Sequence, residues 1–387
     1  MRHVTDAERR ARLAVRHALA PAHRVASPEA ATRAMTVLHA TEPATVHLSC
    51  WARVPGLRTT DVERALTVDR TLVKQLAMRR TLFVFPRDLL PAALPSASAR
   101  VARTERAAIA KDVVKAGLAA DGDAWLDTAR AAVLAVLAEA PGGLSARAVR
   151  EAVPLIDVKV SVSAGSQWSA SRVLTHLGLT GDVVRGANAG HWRVSRPAWT
   201  LTRDWITPPG PLSAEHGCTE LVRRWLTTFG PGTEDDVVWW LGATKGVVRA
   251  ALADLAAVPV SLDDGSTGWL LPDDVEEVPD PGPWVALLPV LDPTVMGWRS
   301  RGFLLGPHRE RLFDRNGNAG TTAWVDGRVV GCWVQDGGGR VRVRSLEEVA
   351  APAREALEAE ADRLTAWLDG VRVGTVYPSP AMKEPVA

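Results

Sequence analysis

The feature that most constrains this chain is a recurring order of elements. Residues 219–229 read as a helix that Gly230, Pro231 and Gly232 break, and Thr233 to Asp236 open a short helix ending at Leu241 and Gly242. Residues 244–256 then carry Val247, Val248, Ala251, Leu252 and Leu255 at helical spacing. Two short strands follow, 258–262 and 268–271, joined by the polar turn 263–266. Helix, short helix, helix, hairpin is the order of a winged helix-turn-helix. The same order is expected earlier. Residues 125–137 read as a helix, 145–153 as a short one and 166–177 as a third, and strands at 182–185 and 191–194 flank a Gly-Ala-Asn-Ala-Gly loop.

The first third is read more by position. Helices are expected at 5–20, 28–39, 59–66 and 69–78, and a strand at 81–85 that Pro86 ends. Residues 272–283 are acidic and proline-rich and read as a linker. After them the period changes: 286–291, 322–325, 328–334 and 340–344 read as strands, and 351–368 as a closing helix. The expected fold class is therefore α+β, with tandem winged helix-turn-helix units followed by a small C-terminal antiparallel β-barrel. The expected domains are 1–120, 121–205, 206–275 and 276–387.

Charge is uneven although the net is only +2: residues 1–120 hold 20 Lys and Arg against 10 Asp and Glu. A basic third on a near-neutral chain suits a polyanion, or simply an arginine-rich helical surface. No apolar run approaches the roughly 18 residues of a membrane span, and the charged N-terminus does not read as a signal peptide. Cys50, Cys218 and Cys332 lie in no metal-ligand spacing, which points to a reducing cytoplasm, no disulfide framework and no metal. Phosphate-loop, dinucleotide, HExxH and GxSxG motifs are absent from the sequence. Nucleic-acid binding, or hydrolysis without a cofactor, are the economical readings.

Four groups of residues are candidates for function. His39 and Thr41 would share one side of an extended stretch, where an imidazole and a hydroxyl can hold a water. The same residues would also suit a helix end and the cap of the next turn. Arg315, Asn316 and Asn318 lie in a glycine-rich turn that could contact phosphates or line a groove, or could serve as a tight turn alone. Gln167 and Arg172 fall at the expected third helix of the second unit, on its DNA-facing side, beside Trp168, which is expected in the core. Arg79 and Arg80 adjoin a strand on the basic third, where they could contact DNA phosphates or could form solvated surface alone. Most of the 15 tryptophans are expected in cores.

Several blocks carry a family resemblance. LHATEP (38–43), LSCWAR (48–53) and DRTLVKQLAMRRTL (69–82) resemble the AlkZ/YcaQ-like winged-helix DNA glycosylases, as do LLPVLDPTVMGW (287–298) and LFDRNGNAGTTAWVDGRVVG (312–331). The resemblance spans nearly the whole chain. It implies tandem winged helices and a β-barrel around a DNA channel. It also implies excision of N7-alkylated guanines, including interstrand crosslinks, by a monofunctional enzyme without metal or cofactor. The partner it implies is double-stranded DNA bearing alkylated purines, met by a monomer. The family's catalytic motif is usually Gln-x-Gln, and aligned on the acidic-Pro step those positions are His39 and Thr41 here. A catalytically silent winged-helix DNA-binding protein is the alternative, with a protein-interaction scaffold as a third reading.

Overall fold

The computed structural model describes residues 1–162, 165–207, 210 and 212–384. The chain divides into two compact units: residues 1–62 with 222–387, and residues 63–221. The N-terminal segment therefore belongs with the C-terminal half, which no local sequence pattern announces.

In the discontinuous unit, Gly232–Thr233, Val258–Leu262 and Thr267–Leu270 form a small sheet that the N-terminal strand His3–Val4 completes. His3 lies parallel to Ser261 in that pairing. Val4, Val260, Leu262 and Leu270 make its apolar cluster. Helix Glu234–Leu241 starts in a capping box, where Thr233 Oγ1 accepts from Asp236 N and Asp236 accepts from Thr233 N. Gly242 ends it at φ +62°, a left-handed cap that suits glycine. Helix Lys245–Asp254 then leads into the hairpin.

The C-terminal strands Val285–Leu288, Thr322–Val325, Arg328–Gln335 and Val341–Ser345 lie in sequence order, each antiparallel to the next. Among the described residues they form an open sheet with two edges, which corrects the expected barrel. Helix Ala351–Leu368 packs against the two outer strands. Leu357, Ala361, Leu364 and Leu368 are buried along it. A helix laid on one face buries the apolar side without the tilt and stagger that closure needs.

In the second unit, helices Ala99–Lys115, Gly122–Ala138, Ala146–Ala152 and Ser169–Thr180 are followed by the hairpin Val183–Asn188 with Pro197–Leu201. Leu126, Val133, Leu137, Val149, Val173 and Leu177 anchor one shared core. Leu144 bridges to Trp199, on the second strand of that hairpin. Gly232 pairs in the same way with Trp269 in the other unit.

Three expectations shift here. Residues 72–76 are a strand, Leu72–Leu76, paired with Leu82–Pro86, and no helix runs from 69 to 78. Arg70 at φ +53° breaks the backbone there, and the apolar partner strand offers a ladder that a lone helix would lack. Gln167 lies in the hairpin Lys159–Val162 with Gly165–Trp168, opposite Val160, and the helix begins at Ser169. Residues 191–194 are loop, and the returning strand is Pro197–Leu201. The Asn188 side chain holds that wider loop, donating to Gly190 O and Val194 O and accepting from Arg196 N.

Candidate active-site and DNA-contact residues

Helix Pro43–Trp51 organises the first candidate site. Pro43 occupies its first turn, where a missing N–H costs nothing. Its polar residues repeat every four positions along one face. Thr45 Oγ1 donates to Val290 O at 3.0 Å, and Ser49 Oγ donates to Asp292 Oδ2 at 2.6 Å. One turn later Arg53 donates from Nη1 and Nη2 to the two Asp292 oxygens at 3.0 and 2.8 Å. Arg53 also donates to Thr294 Oγ1, His17 O and Ser49 O. Both charged side chains are fully buried. Burial alone would push the Asp292 carboxyl up, but the Arg53 charge and the Arg53, Ser49 and Thr294 N hydrogen bonds outweigh it and hold it below the usual range.

This network explains why LSCWAR and LLPVLDPTVMGW occur in one chain: the first supplies the guanidinium and hydroxyl, the second the carboxylate they require. Sequence reading missed the pair. The spacing of Thr45, Ser49 and Arg53 together with an Asp-Pro step was the available signal.

His17 completes the network. Its Nδ1 meets Thr294 Oγ1 at 3.0 Å, and its Nε2 lies 3.1 Å from Thr228 O. Burial, reinforced by the Arg53 charge, pushes its pKa down to about 3, so it is neutral in the folded protein.

His39 and Thr41 stand just before this anchored helix. His39 ends the short strand Leu38–His39 and is buried at 6% exposure, whereas Thr41 is exposed. Glu42 follows and tethers the C-terminal segment. Its Oε1 accepts from Thr375 Oγ1 at 2.8 Å and from Val376 N at 2.7 Å. Burial pushes the Glu42 carboxyl above the usual range, against those two hydrogen bonds. A cavity of about 80 Å³ opens beside it, lined by Glu42, Thr45, Leu48, Val290, Trp333 and Thr375. That is room for a few water molecules.

The turn bearing Arg315, Asn316 and Asn318 is built around Asp314. Asp314 Oδ1 accepts from Asn316 N and Asn318 N, and its Oδ2 accepts from Asn318 Nδ2 at 2.9 Å. Gly317 takes φ +82°. The Asn318 amide is thus committed to the turn, leaving Arg315 and Asn316 exposed at its tip. Tyr377 feels charge from both this turn and Glu42. Burial raises its hydroxyl pKa, and the charges of Glu42 and Asp314 both add to the rise.

The remaining candidates lie in the second unit. Arg79 and Arg80 occupy the loop between the strands Leu72–Leu76 and Leu82–Pro86, at φ +53° and +58°. Two successive left-handed non-glycine residues are uncommon, and such strain gathers at functional loops. Arg80 Nε pairs with Glu105 at 2.6 Å yet stays half exposed. Gln167 is exposed on its strand. Arg172 is buried and pairs through Nη1 with Asp112 Oδ2 at 2.7 Å. Among the described residues no group of three His, Cys, Asp or Glu side chains is disposed to hold a metal, and no helix is long and apolar enough to cross a membrane.

A family model described as DNA glycosylase AlkZ-like matches residues 32–367. Among solved structures, the Streptomyces sahachiroi DNA glycosylase AlkZ shares this fold with a TM-score of 0.74 at 20% sequence identity, over 94% of this chain and 97% of that one. No curated protein matches the sequence.

Proposed function

Because the chain belongs to the DNA glycosylase AlkZ-like family of DNA repair enzymes, hydrolases of N-glycosyl bonds, we propose that it excises N7-alkylated guanines from duplex DNA by means of a water held between His39 and Thr41. The observation that carries this reading is the placement of the His-x-Thr step. It sits at the surface-facing end of a helix whose other end is fixed by the buried Arg53–Asp292 pair. A rigid mount of this kind is what positioning a nucleophile demands. The Glu42 tether and the water-sized cavity beside it support the same reading.

The chemistry asks little of the catalyst. Alkylation at N7 makes guanine cationic, so it leaves as a neutral base and the glycosidic bond is already labile. The protein has to place water near C1′ and stabilise an oxocarbenium-like state. His39 accepts a proton as the water attacks, and the Thr41 hydroxyl orients it. The two helix-turn-helix-hairpin segments serve as winged-helix DNA modules, with Arg79, Arg80 and Gln167 touching the duplex. The exposed tip at Arg315 and Asn316 enters a groove, with Asn318 shaping the turn. Groove insertion of this kind would also let the enzyme unhook interstrand crosslinks, since a crosslinked base cannot swing freely from the stack.

The test is incubation with a duplex containing N7-methylguanine, followed by alkaline cleavage of abasic sites. Wild type is expected to yield strand breaks, and His39→Ala to yield them at least about 10²-fold more slowly, the lower end of general-base contributions. Equal rates for the two proteins would overturn the assignment of His39. The near-complete burial of His39 favours one other reading, a catalytically silent lesion-binding protein. Tight binding without breaks, on bulky and crosslinked N7 adducts as well, would establish that one instead.

A further inference from the structure

Several buried arginines in this protein come with carboxylates. Arg53 has Asp292, Arg172 has Asp112, and Arg12 has Glu8 and Asp274. In the second unit, Lys74 lies on strand Leu72–Leu76 opposite Val84, and strand Val183–Asn188 with Arg185 lies beside it. Both side chains are half-buried. The Arg185 guanidinium sits 5.0 Å above the Trp199 ring, and its Nε is sealed from solvent with no hydrogen-bond partner. Among the described residues neither cation belongs to an ion pair. Burial, then the neighbouring Arg185 charge, pulls the Lys74 pKa down to about 8, with Glu63 opposing weakly. Burial alone pulls Arg185 down, and no carboxylate counters it.

Two like charges withdrawn from water without a counterion disfavour the folded state. An arrangement of this kind makes sense if an anion arrives from outside. We propose that Lys74 and Arg185 form a built site for one phosphate of the DNA backbone. The proposal rests on the glycosylase reading for the source of that phosphate. A guanidinium fork with an ammonium point charge matches a phosphodiester, which offers two free oxygens and one negative charge. Trp199, with its ring 5.0 Å from the guanidinium carbon, gives the planar fork a face to stack on and holds its orientation. Such a contact fixes register on the duplex and carries no sequence preference.

The experiment measures affinity of the full chain for an undamaged labelled duplex by fluorescence anisotropy across a salt series, alongside thermal melts. Lys74→Met and Arg185→Met are each expected to lower the log–log salt slope by about one, and the double variant by about two. Lys74→Arg should keep the slope. Melting temperatures of the Met variants should hold or rise, because an uncompensated charge has gone. The surface variant Arg147→Ala is the control and should behave as wild type. Unchanged slopes in folded Met variants would overturn the site, and so would a marked loss of stability, which would mean that the charges are satisfied internally. Should the double variant fail to fold, wild type with inorganic phosphate against chloride at equal ionic strength decides: phosphate should raise its melting temperature, and the absence of a rise overturns the site. Protection by inorganic phosphate without any slope change in the single variants would mark a free-anion site and overturn the DNA assignment. Because the duplex is undamaged, excision plays no part in this readout: a slope effect without strand breaks at N7-methylguanine sinks the excision chemistry alone, and breaks without a slope effect sink the phosphate site alone.

Discussion

Two clusters of buried charge, one in each unit, are handled in opposite ways. In the discontinuous unit Arg53 and Asp292 are both inaccessible, and every strong donor and acceptor between them is matched by Ser49, Thr294 or a backbone carbonyl. In the other, Lys74 and Arg185 lie on neighbouring strands, and neither belongs to an ion pair among the described residues. A charge that is answered inside the fold holds elements together, whereas one left unanswered marks where the fold is waiting for something. The same distinction applies to the candidates read from sequence. Arg172, buried and paired with Asp112, falls on the structural side, and Arg80, although paired with Glu105, keeps about half of its side chain exposed.

The comparison can be broken in three places. Asp292→Ala strands the Arg53 guanidinium in a dry interior and should cost about 3–5 kcal/mol by urea denaturation. A cost under about 1 kcal/mol would mean that the network is not the anchor of helix Pro43–Trp51. The second place is His17, which is neutral when folded with a pKa near 3 but takes a proton near 6.5 when unfolded. Between those values the unfolded chain binds more protons, so stability should fall as pH drops from about 6.5 toward 3, by up to about 1.4 kcal/mol per pH unit. Asp292, whose carboxyl is held below its ordinary value of 3.8, adds a further loss that sets in as pH falls through that value. Denaturation curves from pH 4 to 7 should show the slope in wild type and a flatter one in His17→Gln. The smallest effect is expected at Arg172. Its replacement by Met should cost about 1–2 kcal/mol by leaving Asp112 without its donor, and the salt dependence of DNA binding should stay as it is. A reduced slope there would move Arg172 to the DNA-contacting group.

Much of the element order was legible because it is local. Thr233 and Asp236 announce a capping box, Gly242 a left-handed stop, and residues 263–266 a polar turn, and each is found where its chemistry requires it. The second repeat was harder. There the hairpin Lys159–Val162 with Gly165–Trp168 is inserted between the short helix Ala146–Ala152 and the helix Ser169–Thr180. The alternation of Lys159 to Val162 is too short to compete with an adjacent helical pattern. At Leu72–Leu76 the error had the same root, since a five-residue segment with Leu72, Val73 and Leu76 as its apolar positions is compatible with helix or strand until its partner Leu82–Pro86 is known. Most tryptophans followed expectation, since Trp51, Trp225 and Trp324 are among the largest fully buried side chains and of the adjacent pair Trp240 is buried, but Trp168, expected in the core, is only half-buried at the end of its strand, under Arg150.

By itself the sequence determined the helix caps, the turns, the repeat of helices and hairpins and the blocks that mark the family, since each depends on neighbours a few residues apart. Only tertiary structure decided that residues 1–62 fold with 222–387, that the C-terminal sheet stays open, and which cations find a carboxylate. Those outcomes depend on partners that are distant along the chain: 239 residues separate Arg53 from Asp292, and 111 separate Lys74 from Arg185. Charge balance in a low-dielectric interior is a property of position in space, and a linear pattern carries no record of it.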